Sequence, residues 1–226
     1  MNLNIKLLLA LLPALYFTAS CNNDTASTIT DKNDSAAAQT SNMGKDTMRN
    51  VNNMPMDNGL MAAMNASMDK MSSLQMTGNF DNDFASMMIE HHQGAIDMSE
   101  VELRSGKDET LKAMAQKIIT AQKAEQDLLR GIVKNSKSVM MGGEKYEELS
   151  KGVENMKAKM SAMKMTGATD TDFALMMTSH HQDAINMSKD ELSHGKNQKL
   201  KQMAKKGIGD QQKEINEFKA WIDKNK

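Results

Sequence analysis

Residues 83–103, DFASMMIEHHQGAIDMSEVEL, return as residues 172–192, DFALMMTSHHQDAINMSKDEL. The offset is 89 positions, and residues 76–125 match residues 165–214 at 28 of 50 positions. Such a repeat means two copies of one supersecondary unit, and it governs every later reading of the fold. Within the first copy Phe84, Met87, Met88, His91, Ala95, Met98 and Glu102 recur at three- and four-residue steps, the period of one helix face. Asp81 or Asp83 can cap the start of this helix and Gly106 follows its end, as helix boundaries prefer.

A second helix is expected over about residues 107–134, with Leu111, Ala115, Ile118, Gln122, Leu129 and Val133 on its stripe. Its counterpart carries Leu200, Ala204, Ile208, Gln211, Ile215, Phe218 and Ile222. A short glycine-marked turn between two such helices makes an antiparallel hairpin, and two hairpins make a four-helix bundle. Each hairpin is preceded by a further amphipathic stretch: Met61, Met64, Met68 and Met71 in one copy, and Val153, Met156, Met160 and Met163 in the other, after a break at Gly142-Gly143. Spacing alone makes these core stripes, because methionine fills gaps well. Leucine would fill the same space with better-defined rotamers, so repeated sulfur also hints at a use for sulfur.

The bulk numbers agree with an all-α reading. Only two prolines occur in 226 residues, and aromatic residues make up 4%; long uninterrupted helices are favoured and an aromatic-rich β-sandwich is excluded. The net charge of −1 provides no global field for nucleic acid. Methionine, at 24 residues, is far above ordinary usage.

Residues 1–20 have the layout of a secretory signal, with Lys6, an apolar run from Leu7 to Phe17, and small residues before Cys21. The run is shorter than the ~20 residues a membrane span needs. Thr18-Ala19-Ser20-Cys21 resembles a bacterial lipobox, which makes Cys21 the expected lipidation site and the membrane a partner through that anchor. Residues 21–53 are rich in Asn, Asp, Ser, Thr and Ala, too polar to offset ordering entropy, and read as a tether. The remaining chain divides into a first repeat, 54–138, and a second, 139–226, each a Met-rich helix plus a hairpin bearing a His pair.

Thioether and imidazole together suit Cu(I), and by extension Ag(I), because soft ligands select soft ions. His91 shares a face with Met87 and Met98, whereas His92 is turned about 100° away toward Met88. In the second copy Met176, His180 and Met187 go together, with Met177 near His181. Adjacent histidines on a helix do not readily converge on one ion, so either two neighbouring sites per copy or one site completed by other helices is implied. Gln122, Glu125, Gln211 and Glu214 could orient a liganding imidazole through its other N–H, or simply make packing hydrogen bonds. The histidines themselves could be satisfied core residues; Met at equal offsets around both pairs favours metal. A di-iron enzyme needs two Glu-x-x-His motifs and two further glutamates. Only Glu191–His194 has that spacing, its counterpart ends in Ser105, and Glu90 becomes Ser179. The chain is therefore expected not to be an enzyme.

The pattern D-F-x-x-M-M-x-x-H-H-Q-x-A-I-x-M, followed by L-x-x-M-A and Q-x-x-E, resembles the bacterial family filed as domain of unknown function 305. The resemblance runs from about Met76 to the C-terminus in both copies. It implies an exported protein with a ferritin-like helical bundle and copper as the bound metal, with His91, His92, His180, His181 and the flanking methionines as ligands. The second copy departs where Thr178-Ser179 replaces Ile89-Glu90. The expectation is thus a lipid-anchored envelope protein, on the periplasmic face or outer membrane, that sequesters Cu(I) or passes it to a copper-handling partner. The alternatives are a structural or interaction lipoprotein with His/Met core packing, and a ferritin-like redox enzyme.

Overall fold

A computed structural model describes residues 59–135 and 145–225. The expected signal segment, Cys21, the tether, residues 54–58 and the Gly142-Gly143 break lie outside the described residues. Six helices follow one another: α1 (Gly59–Ser73), α2 (Phe80–Ser105), α3 (Glu109–Asn135), α4 (Lys145–Ala162), α5 (Thr169–His194) and α6 (Gln198–Lys224). There is no strand among the described residues, and none of these helices is long and apolar enough to cross a membrane. The protein is an all-α bundle.

Helix α2 packs on α3 and α5 on α6, each as a hairpin, and α2 lies against α5. Along the α2–α5 contact Asp81 meets Glu191, His91 meets His180 and Glu102 meets Asp170. Numbers rise on one helix as they fall on the other, so the pair is antiparallel and the two repeats are related by an approximate two-fold axis through the histidines. The Met-rich helices are integral to the bundle: α1 lies along α2, and α4 touches both α1 and α5. Met64, Met68 and Met71 of α1 and Met156 and Met160 of α4 are buried in the same core as Phe84 and Phe173. A Lys157–Asp69 ion pair at 3.5 Å joins α4 to α1.

The helix starts differ from the sequence expectation. Asn79, not Asp81 or Asp83, caps α2, its side chain accepting from the Asn82 N–H at 3.2 Å. Asp83 reaches back instead: its Oδ1 accepts from Thr77 N–H at 2.7 Å and its Oδ2 from Gly78 N–H at 3.0 Å. Asp172, Thr166 and Gly167 repeat the arrangement. Gly78 and Gly167 have φ of 81° and 82°, a left-handed conformation natural to glycine, which accounts for the duplicated Thr-Gly. Asp81 and Asp170 serve the opposite repeat. Asp81 Oδ1 accepts from Lys196 and Asn197 N–H at 2.7 and 2.8 Å, and Asp170 Oδ1 from Lys107 and Asp108 N–H at 2.8 and 2.9 Å. Each repeat thereby ties down the turn entering the other repeat's second helix.

Gly106 and Gly195 do close α2 and α5, but with φ of −70° and −65°, so a left-handed cap is not why they are glycine. A Cβ at either would run into the carboxyl group of Glu102 or Glu191. These two glutamates are fully buried at the helix ends.

Candidate metal centre

The four histidines of the duplicated motif meet where α2 crosses α5. His91, His92, His180 and His181 are all at most 2% exposed. Adjacent histidines diverge, as a 100° step per residue requires: the His91 and His92 ring centroids are 6.5 Å apart, and those of His180 and His181 are 6.2 Å apart. The repeats are joined by the other pairing. His91 stacks on His180 with 3.7 Å between centroids and 31° between ring planes.

The nitrogen inventory is informative, because buried polar atoms ordinarily have partners. His180 Nε2 lies 3.1 Å from the His91 carbonyl oxygen, to which it donates. His180 Nδ1 and both ring nitrogens of His91 have no partner. Burial, and then the charge of neighbouring histidines, hold His91 and His180 well below the usual imidazole range. Both rings are therefore neutral, with lone pairs free in a dry interior, which is the state a metal ligand needs.

His92 and His181 face outward toward the second helices. His92 Nε2 is hydrogen-bonded to Glu125 Oε2 at 2.9 Å. His181 Nε2 lies 2.7 Å from Glu214 Oε2, without hydrogen-bond alignment. Glu125 so placed fixes the His92 ring and its tautomer, and in both rings Nδ1 has no partner. Gln122 and Gln211 are buried one turn earlier, and neither Oε1 has a partner; the glutamate has taken the ring nitrogen that each glutamine could have met.

Met87, Met88, Met98, Met176, Met177 and Met187 are all buried in the core. Helical side chains lean toward the N-terminus, so His91 leans over Met87 and His180 over Met176, while Met98 and Met187 start two turns beyond. No three His, Cys, Asp or Glu side chains form a ready cage among the described residues. An ion held here would draw on methionine sulfur as well as imidazole.

Two residues outside the motif reading also shape the centre. Ser67 of α1 donates from Oγ to the Glu90 carbonyl oxygen at 2.7 Å. A Cβ on Gly94 would lie 2.8 Å from Ser67 Cβ and Oγ and 3.4 Å from His180 Nε2. Gly94 is thus the notch through which α1 approaches the histidines. The sequence signal was Gly94 standing where the second copy has Asp183, one mismatch among several in the duplicated stretch.

The family described as "Domain of unknown function (DUF305)" matches residues 23–133 and 133–222, nearly the whole chain. The chain belongs to this family. No curated protein matches this DUF305 sequence. Among solved structures, CopM in the Cu(II)-bound form is 26% identical with a TM-score of 0.50, covering 65% of this chain and 97% of that one. CopM in the Ag-bound form, prepared by soaking, is 24% identical with a TM-score of 0.50, covering 64% and 95%. These likenesses establish a shared helical fold.

Proposed function

We propose that this DUF305 protein binds a soft metal ion, Cu(I) and by extension Ag(I), at the junction of its two repeats. The observation that carries the reading is the buried His91–His180 pair, held 3.7 Å apart with three ring nitrogens unpartnered. An apolar core has no reason to keep neutral imidazoles with orphaned nitrogens at its centre, since each unsatisfied buried group costs about 1–3 kcal/mol. A metal ion would take up one lone pair from each neutral ring. His91 and His180 would hold it, with Met87 and Met176 supplying sulfur from the same helix faces and His92 and His181 offering Nδ1 nearby. Support comes also from CopM, a similar bundle known in Cu(II)- and Ag-bound forms.

The ion is cargo and the protein performs no covalent chemistry; it stores the metal or passes it to a copper-handling partner. The work is done outside the cytoplasm, with Cys21 as the lipid-bearing residue and residues 21–53 as the tether. Copper is preferred in the Cu(I) state because thioether sulfur selects it. The test is a Cu(I) titration against a competing chelator, comparing wild type with His91→Ala/His180→Ala and with His92→Ala/His181→Ala. The first double variant is expected to lose tight binding while remaining helical, and the second to weaken it less. No tight binding by folded wild type would return the histidines to core packing and favour the interaction-lipoprotein reading.

A further inference from the structure

At each end of the α2–α5 contact, a buried glutamate of one repeat faces an aspartate of the other. Glu102 faces Asp170, and Glu191 faces Asp81. Both glutamates are 0% exposed, and no N–H or hydroxyl donor reaches any of their four carboxyl oxygens. Each packs against a glycine that admits no side chain, Gly106 or Gly195. The aspartates are already acceptors, since Asp170 Oδ1 takes Lys107 and Asp108 N–H and Asp81 Oδ1 takes Lys196 and Asn197 N–H. Two carboxyl groups in contact, one of them an acceptor and the other without a donor, are satisfied when the second carries the proton and donates it.

We propose that Glu102–Asp170 and Glu191–Asp81 are proton-bound clamps that fasten the two repeats together, so that the junction is tight while the glutamates are protonated and loosens when they ionise. The full charge surroundings fit. Glu102 is faced by Asp170 of α5, by Asp108 at the start of α3 and by Lys112 of α3; Glu191 is faced by Asp81 of α2 and Lys201 of α6. Burial first, and then the facing aspartate, raise Glu102 from 4.5 to about 8. Burial, Asp81's charge and its hydrogen bond raise Glu191 from 4.5 to about 8. Both lysines oppose the shift without cancelling it. The duplication preserved Glu102/Glu191, Asp81/Asp170 and Gly106/Gly195 in both copies.

The sign follows from proton binding. Between 4.5 and about 8 the folded protein holds a proton on each glutamate that the unfolded chain has released, so stability falls as pH rises across that window and levels off above it. Glutamine donates as the protonated acid does but cannot ionise. In the metal-free full chain, Glu102→Gln/Glu191→Gln should therefore match wild type in thermal midpoint at pH about 4.5 and exceed it by several degrees at pH about 8.5. Taking the difference cancels the histidines, which titrate alike in both proteins. Infrared difference spectra of wild type should show the neutral-carboxyl stretch lost with a midpoint near pH 8, and the band missing in the variant. An unchanged pH profile in the variant would overturn the clamp. If the variant fails to fold, absence of a neutral-carboxyl band in wild type at pH about 6 would do the same. No metal is used, so this outcome is independent of the metal reading.

Discussion

On the first repeat, Gly94 opens a notch that Ser67 of α1 fills, within 3.4 Å of His180 Nε2 as measured from a Cβ position on that glycine. On the second, the equivalent position is Asp183, which is buried and pairs with Lys159 of α4, while Ser67 gives way to Met156. The packing partners differ in the same way: Gln126 of α3 donates to the Ile89 carbonyl at 2.9 Å, and its counterpart on α6 is the apolar Ile215. What faces the two-fold axis has stayed equal, namely the stacked His91/His180 pair, and so have the buried glutamates at either end of the α2–α5 contact. A residue on the axis meets its own counterpart or the counterpart's neighbour, so one change disturbs both halves. Residues that meet α1 or α4 answer to one partner only and were free to diverge.

The largest expected effect separates the two repeats. Phe84 and Phe173 are both fully buried, and truncation to alanine should cost about 3–5 kcal/mol in denaturant unfolding. Phe173 should cost about 1 kcal/mol more, because it meets Phe218 edge to face at 5.6 Å and 82°, where the first repeat has Leu129. Equal costs would mean that the stack adds nothing to area burial.

Next comes the notch. Gly94→Ala should destabilise by about 1–3 kcal/mol through overpacking against Ser67, and adding Ser67→Gly should recover most of the loss. Failure of that rescue would show that α1 does not approach through Gly94.

The histidines give a smaller, pH-dependent effect. His91 and His180 are neutral in the fold because burial lowers both. Unfolded histidine takes up a proton near pH 6.5, so their contribution is present above that pH and is lost as pH falls below it. Replacing His91 by Phe should remove about 1 kcal/mol of acid sensitivity at pH about 5.5. The same change at His180 should act in the same direction, since burial lowers that imidazole too.

The smallest effect is expected for Asp183→Ala. Burial disfavours the ionised Asp183 carboxyl and so offsets much of what its pair with the half-exposed Lys159 contributes, leaving a loss of about 0–1 kcal/mol; a loss well beyond that would give the second repeat an anchor as strong as the first repeat's notch.

The sequence carried the helices, the hairpins and the divergence of adjacent histidines, because a strict 89-residue repeat and 3.6-residue periodicity are local facts. It did not carry the partner of each first-turn aspartate. Asp81 and Asp170 look like ordinary caps in one dimension, and only the antiparallel crossing brings them to the turns of the opposite repeat. Nor could periodicity say that His91 would meet His180 while His92 turned to Glu125: both lie on apolar stripes, and the choice is made by which helix packs on which face. Glu102 reads as one more charge near a helix end until Gly106 and Asp170 close around it.

The most direct test of the central claim is the anomalous scattering of silver in crystals of the protein loaded with Ag(I). The account predicts a peak at the edge of the His91–His180 pair, within bonding distance of one ring nitrogen of each. Silver confined to other methionines, with the His91–His180 stack unchanged, would contradict it.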